Sequence, residues 1–150
     1  MKRTIKLLTM GMLFIGMTAL VGCKKDVQIE KNLWNKGGEW TITTWSNDYN
    51  FGGGSQTYKD VYSNAGAYKF NKDGSGTFSV TMDGESYTNS FTYSNTTTEL
   101  RITYGNGNFF DNGTTHNYVL DWKKDKIKMT YMTTFDGQGW DNYDISLSKK

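Results

Sequence analysis

Proline is absent from the 150-residue sequence, and cysteine and histidine each occur once. A single cysteine excludes an internal disulfide framework, and together with a single histidine it leaves too few ligands for a usual zinc site. Charged residues are sparse, at 21%, whereas aromatic residues reach 15%. This composition excludes disordered, collagen-like and coiled-coil chains. The length suits one folded domain and is too short for two ordinary ones.

A strong net charge is missing as well. The formal charge of the whole sequence is +2, and Lys2, Arg3 and Lys6 more than account for this excess. The rest of the chain has no basic field that would attract nucleic acid, and it contains no nucleic-acid-binding motif. The sequence therefore predicts no nucleic-acid partner.

The N-terminal segment has the pattern of a secretory signal. Its basic start is followed by an apolar run at residues 7–21, shorter than the roughly 20 residues that a membrane-spanning helix needs. We therefore interpret residues 1–22 as a signal peptide. The run ends in Leu20-Val21-Gly22-Cys23, which resembles the lipobox of bacterial lipoproteins. This resemblance implies cleavage before Cys23 and lipidation of its thiol. The alternatives are an ordinary secretory signal or a short buried helix that ends in cysteine.

Residues 23–32 are polar and contain no turn residues. We expect them to form an extended tether between a lipid anchor and a domain at residues 33–150. Lys24 stands where the enteric sorting rule for inner-membrane retention requires Asp, which favours the outer membrane. The acidic residues that would favour export to the cell surface are few, Asp26 and Glu30. The sequence predicts an envelope protein, on either the periplasmic leaflet or the cell surface.

From residue 38 onward apolar residues recur with a period of two, which predicts β-strands. Trp40 and Ile42 share one face of the first strand, whereas simple alternation places Trp45 on the opposite face. No segment of the mature chain longer than one turn suits a helix. Eight strands joined largely by short turns predict an all-β, antiparallel up-and-down meander, and closure into a barrel removes its two edges. We expect the first strand, at residues 38–46, to pair with the last, at 142–148.

Two short motifs carry a family resemblance. The motif Gly38-x-Trp40 opens the first strand, and Tyr68-x-Phe70-x-x-Asp73-Gly74-Ser75-Gly76-Thr77 forms a hairpin. These motifs resemble those of the lipocalin-like domain lipoproteins of Bacteroidetes, over about residues 33–148. The resemblance implies a calycin-type barrel with Trp40 across its base.

Aromatic residues also occur in loops rich in Gly and Asn. In an up-and-down meander the loops at residues 47–66, 105–114 and 133–141 meet at one end of the barrel. Such rings can stack on a small apolar or glycan ligand. The candidate ligand-binding residues are Trp45, Tyr49, Phe51, Phe109, Phe110, Phe135 and Trp140. Two alternatives stay open: the rings fold back as plugs over the barrel end, or they bind another envelope protein, as in an inhibitor or an assembly subunit.

Catalytic signatures are few. The only histidine, His116, is expected at a partly exposed strand end, and no G-x-S-x-G motif is present. Asp136, Asp141 and Asp144 could form a carboxylate pair or a weak Ca²⁺ site, but Asp is also typical of turns. The sequence therefore predicts a binding protein, with no catalytic residue, metal or cofactor.

Overall fold

The computed structural model describes residues 25–52, 55–135 and 139–150. The chain is helical from residue 25 to residue 34, and a 3-10 turn at Asn35–Gly37 follows. Eight strands come next: β1 (Glu39–Asn50), β2 (Tyr58–Phe70), β3 (Ser75–Met82), β4 (Glu85–Asn95), β5 (Glu99–Gly107), β6 (Thr115–Lys123), β7 (Lys126–Phe135) and β8 (Gly139–Lys149).

Each strand pairs antiparallel with its neighbour in sequence, and β1 pairs with β8 to close the barrel. The predicted all-β, up-and-down barrel of eight strands is confirmed, including the pairing of the first and last strands. The predicted loop at residues 47–66 is wrong in its bounds, because β1 continues to Asn50 and β2 begins at Tyr58, which leaves a connection at residues 51–57. The connections β1–β2, β3–β4, β5–β6 and β7–β8 therefore lie at one end of the barrel, which we call the mouth. The opposite end is the base.

The barrel interior is filled with large side chains, and every strand contributes to it. Alternate residues of a strand point to the same face, and aromatic rings bury a large area per residue, which offsets the scarcity of long aliphatic residues. One buried residue from each strand, in chain order, is Trp40, Tyr68, Phe78, Phe91, Tyr104, Tyr118, Met129 and Ile145.

A β-bulge in β1 changes which residues point inward. The register shifts between Ile42 and Thr44 in the pairings with both β2 and β8. A bulge inserts one extra residue and reverses the alternation beyond it. Trp45 is consequently buried beside Trp40 and Ile42. The prediction that Trp45 lies on the opposite face from Trp40 is wrong for this reason.

The N-terminal helix closes the base of the barrel. Ile29 and Leu33 lie four residues apart, so they share one helix face, and both side chains are buried in the core. The indole Nε1 of Trp40 donates to the Leu33 carbonyl oxygen at 2.9 Å. The expectation that the mature chain has no helix is wrong here, and from residue 25 the expected tether is packed against the barrel. No helix in the described part of the chain is long and apolar enough to cross a membrane.

Gly38 explains the first of the two short motifs. Its φ is +69°, and a Cβ at this position would lie 1.9 Å from the Phe70 carbonyl oxygen. The Phe70 amide donates to the Gly38 carbonyl oxygen at 2.9 Å. Only glycine permits this approach, so the Gly-x-Trp motif brings the helix onto the base while Trp40 enters the core.

Candidate functional site

Phe109 and Phe110 enter the barrel from the loop between β5 and β6. The Phe109 ring makes an edge contact with Trp45 at 5.8 Å between centroids, and the Phe110 ring lies 4.1 Å from that of Tyr104. Both rings pack against the buried core. The sequence left open whether these two rings stack on a ligand, bind a protein or fold back over the barrel end. In the structure they fold back and form a plug in the mouth.

Asn89 on β4 holds this plug in place. Its buried Oδ1 accepts from the amides of Phe109 and Phe110 at 3.2 and 3.0 Å. Its Nδ2 donates to the carbonyl oxygens of Gly105 and Phe110 at 3.0 and 2.9 Å. The Asn89 side chain thus makes four hydrogen bonds to residues 105–110, two as a donor and two as an acceptor. The sequence analysis missed Asn89, because a polar residue in a strand is ordinarily assigned to the solvent face.

A chain of hydroxyl groups crosses the interior below the plug. The Tyr68 and Tyr104 hydroxyls lie 3.2 Å apart, and those of Tyr104 and Tyr118 lie 2.8 Å apart. The Tyr118 hydroxyl is 3.1 Å from His116 Nδ1. The His116 ring stacks on Tyr131, with 4.0 Å between centroids. Burial raises the pKa of each of the three linked tyrosines and lowers that of His116 to about 4.

His116 is therefore buried, and the expectation of a partly exposed strand-end histidine is wrong. At neutral pH its imidazole is uncharged, so Nδ1 can accept a hydrogen bond from the Tyr118 hydroxyl. His116 Nδ1 is paired with a tyrosine hydroxyl, and aromatic rings pack around the imidazole. This environment fixes the imidazole in the core.

Five aromatic residues lie at the mouth end of the barrel, and we call them the rim: Tyr49, Phe51, Tyr58, Phe135 and Trp140. Tyr49 and Tyr58 are stacked, with centroids 5.5 Å apart and planes 17° apart. Phe51 is 69% exposed, Phe135 47% and Tyr58 44%. Phe51 and Phe135 line an open cavity of about 310 Å³ together with Gly52 and Gly139.

The structure separates the seven candidate residues into two groups. Tyr49, Phe51, Phe135 and Trp140 lie at the rim, whereas Trp45, Phe109 and Phe110 pack inside the barrel. The sequence analysis did not include Tyr58, although Tyr58, Asp60 and Tyr62 repeat with the period of a strand. The candidate lipidation residue Cys23 and the predicted signal peptide at residues 1–22 lie outside the described residues.

Tyrosine hydroxyls at the mouth pair with carboxylates. Tyr62 donates to Asp83 at 2.9 Å, and Tyr87 donates to Glu85 at 2.7 Å. The bond to Asp83 raises the pKa of Tyr62, as the bond to Glu85 raises that of Tyr87. Burial, followed by the bond to Asp141, raises the pKa of Tyr143. The mouth thus offers aromatic faces and hydrogen-bond acceptors side by side.

The three aspartates considered as a catalytic or calcium site are not brought together. Asp136 lies outside the described residues. Asp141 and Asp144 are three residues apart on β8, which places them on opposite faces of the strand. Asp144 forms an ion pair with Lys128 at 3.1 Å and accepts from Thr130 at 2.8 Å. Among residues 25–52, 55–135 and 139–150, no group of three or more His, Cys, Asp or Glu side chains could hold a metal ion.

A groove of about 510 Å³ on the outer wall is larger than the rim cavity. It is lined by Thr43 of β1 and by residues of β6, β7 and β8, with Asp121, Lys126 and Lys128 among them. Long, exposed lysine side chains form its sides, and it has no aromatic lining. We therefore regard the rim as the candidate ligand site.

The fold and the rim together define the class of the molecule: a closed, eight-stranded up-and-down β-barrel with a filled interior and exposed aromatic rings at its mouth. Comparison of the chain with protein-family models, with curated proteins and with solved structures gave no match.

Proposed function

We propose that the protein is a lipocalin-like lipoprotein, anchored through Cys23 to the outer membrane, and that it binds a small ligand at the rim. The observation that carries the binding part is the exposure of Phe51, Phe135 and Tyr58 around the mouth. Aromatic rings exposed in a cluster, with polar groups beside them, are typical of binding sites. The anchor is inferred from the lipobox alone.

A glycan fits this site better than a wholly apolar molecule. The plug formed by Phe109 and Phe110 occupies the space that an apolar ligand would take inside the barrel, and Asn89 fixes it. A ligand at the rim stays partly in water. It meets ring faces that can stack on a sugar, and carboxylates such as Asp83 that can accept hydrogen bonds from its hydroxyl groups.

The proposal describes a binding protein and not an enzyme. His116 is enclosed by aromatic rings, and its pKa of about 4 reflects burial without a charged partner. A general base gains from a carboxylate that orients it and from access to substrate. The described residues around His116 supply stacking and a tyrosine hydroxyl instead.

Tryptophan fluorescence tests the proposal, since Trp140 lies at the rim. We expect titration with a panel of soluble glycans to change the emission for one class. Phe51→Ala and Phe135→Ala should each weaken that binding about three- to tenfold, because a stacked ring contributes roughly 0.5–1.5 kcal/mol beyond its burial. Val119→Ala is the matched control, because Val119 is equally exposed but lies on β6 away from the rim. Unchanged affinity in both rim variants would contradict the proposal.

A second candidate function, binding to another envelope protein as an inhibitor or assembly subunit, is favoured by apolar residues on the outer wall. Met132 on β7 is 62% exposed and Val61 on β2 is 54% exposed, and both lie at the mouth ends of their strands. Cross-linking in intact envelopes should then yield a stoichiometric protein partner that Met132→Ser and Val61→Ser abolish. A monomer that retains a glycan in both variants would exclude this function.

A further inference from the structure

Lysine residues are concentrated at the base of the barrel. They come from the N-terminal helix, the turn before β1 and the turns β2–β3 and β6–β7. Seven of them are exposed and form no ion pair within the described ranges: Lys25, Lys31, Lys36, Lys72, Lys123, Lys124 and Lys126. With Lys69, Arg101, Lys128, Lys149 and Lys150, this end has twelve basic residues among those described. Its acidic residues are fewer, seven in all: Asp26, Glu30, Glu39, Asp73, Glu99, Asp121 and Asp125. The base therefore has a net positive charge.

The mouth has the opposite charge. Its described acidic residues are Asp48, Asp60, Asp83, Glu85, Asp111 and Asp141. Lys59 is the one lysine of the described residues at this end, and it is paired with Asp48 at 3.0 Å. The near-neutral net charge of the sequence thus conceals a separation of charge along the barrel axis. Such a separation orients a molecule in an external field.

The N-terminal helix packs against the base from residue 25 onward. The carbonyl oxygen of Leu33 in this helix accepts a hydrogen bond from Trp40 Nε1 at 2.9 Å. The carbonyl oxygen of Asp26 accepts one from Asn95 Nδ2 at 3.1 Å. Lys149 Nζ donates to the Asn32 carbonyl oxygen. One residue, Lys24, separates Cys23 from the helical residue 25. At most about 3.6 Å per residue can be spanned, so a lipid on Cys23 would hold the base close to the bilayer.

We propose that the protein stands on its membrane on the base, with these lysines against anionic lipid headgroups and the mouth directed away from the bilayer. The acidic mouth is repelled by the same headgroups, so both ends favour one orientation. The lipid surface is the partner that suits this location, because the base is the end from which the anchor leaves. The inference rests on the lipid anchor of the proposed function, but the surface that it assigns is separate from the rim.

Vesicle binding tests the charged base without the anchor. The described residues close the barrel without an unpaired strand, so the chain can be expressed from Lys24 onward, without Cys23. We expect it to bind vesicles of equal parts phosphatidylglycerol and phosphatidylcholine at low salt, and to release them at high salt. Pure phosphatidylcholine vesicles should not bind it. Equal binding to both compositions, or to neither, would overturn the inference.

Matched substitutions locate the surface. Lys31→Ala and Lys124→Ala should each weaken binding to the anionic vesicles about fivefold, the usual contribution of one lysine near such a surface. Lys59→Ala removes the same charge from the mouth and should not weaken binding. An equal loss in all three variants would contradict a specific role of the base.

A label at each end reports the orientation. Thr98 is exposed in the base turn β4–β5, and Asn112 is exposed in the loop β5–β6 at the mouth. A fluorophore on Thr98→Cys should be quenched by a lipid-borne quencher, and one on Asn112→Cys should not. Quenching at Asn112 alone would overturn the orientation. Neither measurement depends on glycan binding or on acylation, so a failure here is distinct from a failure of the proposed function.

Discussion

Trp45 shows how one inserted residue changes the role of a side chain. Alternation from Trp40 places Trp45 outside the core, where truncation would cost little. Because the bulge turns Trp45 inward, we expect Trp45→Ala and Trp40→Ala to lower the free energy of unfolding by a similar amount, about 3–5 kcal/mol. Urea denaturation measures both.

Val119→Ala is the control for these two variants, because it truncates an exposed apolar residue and should change the free energy of unfolding by less than about 0.5 kcal/mol. A loss at Trp45 no greater than at Val119 would show that the ring is not part of the core.

The bulge could not be predicted from the sequence. In the segment Thr41-Ile42-Thr43-Thr44-Trp45, two assignments of inward-facing and outward-facing residues fit the sequence about equally well. The reason is that threonine suits either face of a strand. The register is decided by the partners on both sides. Ile42 faces Gly66 on β2 and Leu147 on β8, and Trp45 faces Tyr62 and Ile145. The sequence of one strand does not reveal these cross-strand pairs, so it does not reveal the bulge.

The buried imidazole of His116 makes stability depend on pH. Burial lowers its pKa from 6.5 to about 4 in the folded state. Between these values the unfolded chain binds more protons at this site than the folded chain, so the free energy of unfolding falls as the pH decreases. The contribution of His116 to the free energy of unfolding is complete above the pKa of the unfolded chain. As the pH decreases it falls by at most about 1.4 kcal/mol per pH unit, and it becomes constant below the pKa of the folded state.

Urea denaturation across this pH range should therefore show a steeper loss of stability for the wild type than for His116→Gln, which does not titrate there. The carboxylates titrate in both proteins, so the difference between the two curves isolates His116. Parallel curves would mean that the imidazole is as accessible to protons in the folded state as in the unfolded chain.

At the level of elements, the N-terminal helix is part of the folded barrel. Leu33 and Ile29 are buried at the base, whereas Val27 on the same helix is exposed. We expect Leu33→Ala to lower the free energy of unfolding by about 2–5 kcal/mol, and Val27→Ala to change it by less than about 0.5 kcal/mol. Hydrogen exchange should show protected amides in the helix of the wild type. Equal, small effects of both variants would support a tether that does not pack.

The strands were predictable and the helix was not, for a physical reason. Most of the strands carry about three alternating apolar residues and are bounded by turns such as Asp83-Gly84. The helix has one apolar pair that enters the core, Ile29 and Leu33, within a charged segment. Two residues four apart do not establish a helical period. Their burial depends on an open base, which exists only after the barrel has closed.

At the level of the whole molecule, the clustering of loops at one end was predictable from the strand count alone. Whether the barrel was open or filled was not, because it depends on where Phe109 and Phe110 point. That direction is set by Asn89, some twenty residues earlier, through bonds to their amides. The candidate site therefore narrows from the seven predicted residues to those at the rim, where Phe51 and Phe135 are exposed.

Attachment to the membrane is a property of the whole molecule. We propose that it depends on a lipid on Cys23, which lies outside the described residues. We expect Cys23→Ala to abolish labelling with palmitate and to move the protein from the membrane fraction to the soluble fraction. The barrel should still fold, because its first buried residue, Ile29, lies beyond the substituted position. The lysines of the base can still attract anionic headgroups, so the membranes must be washed at high salt, which screens this attraction. If the washed membranes still retain the variant, an uncleaved apolar segment at residues 7–21 or the domain itself holds it, and the thiol is not the anchor.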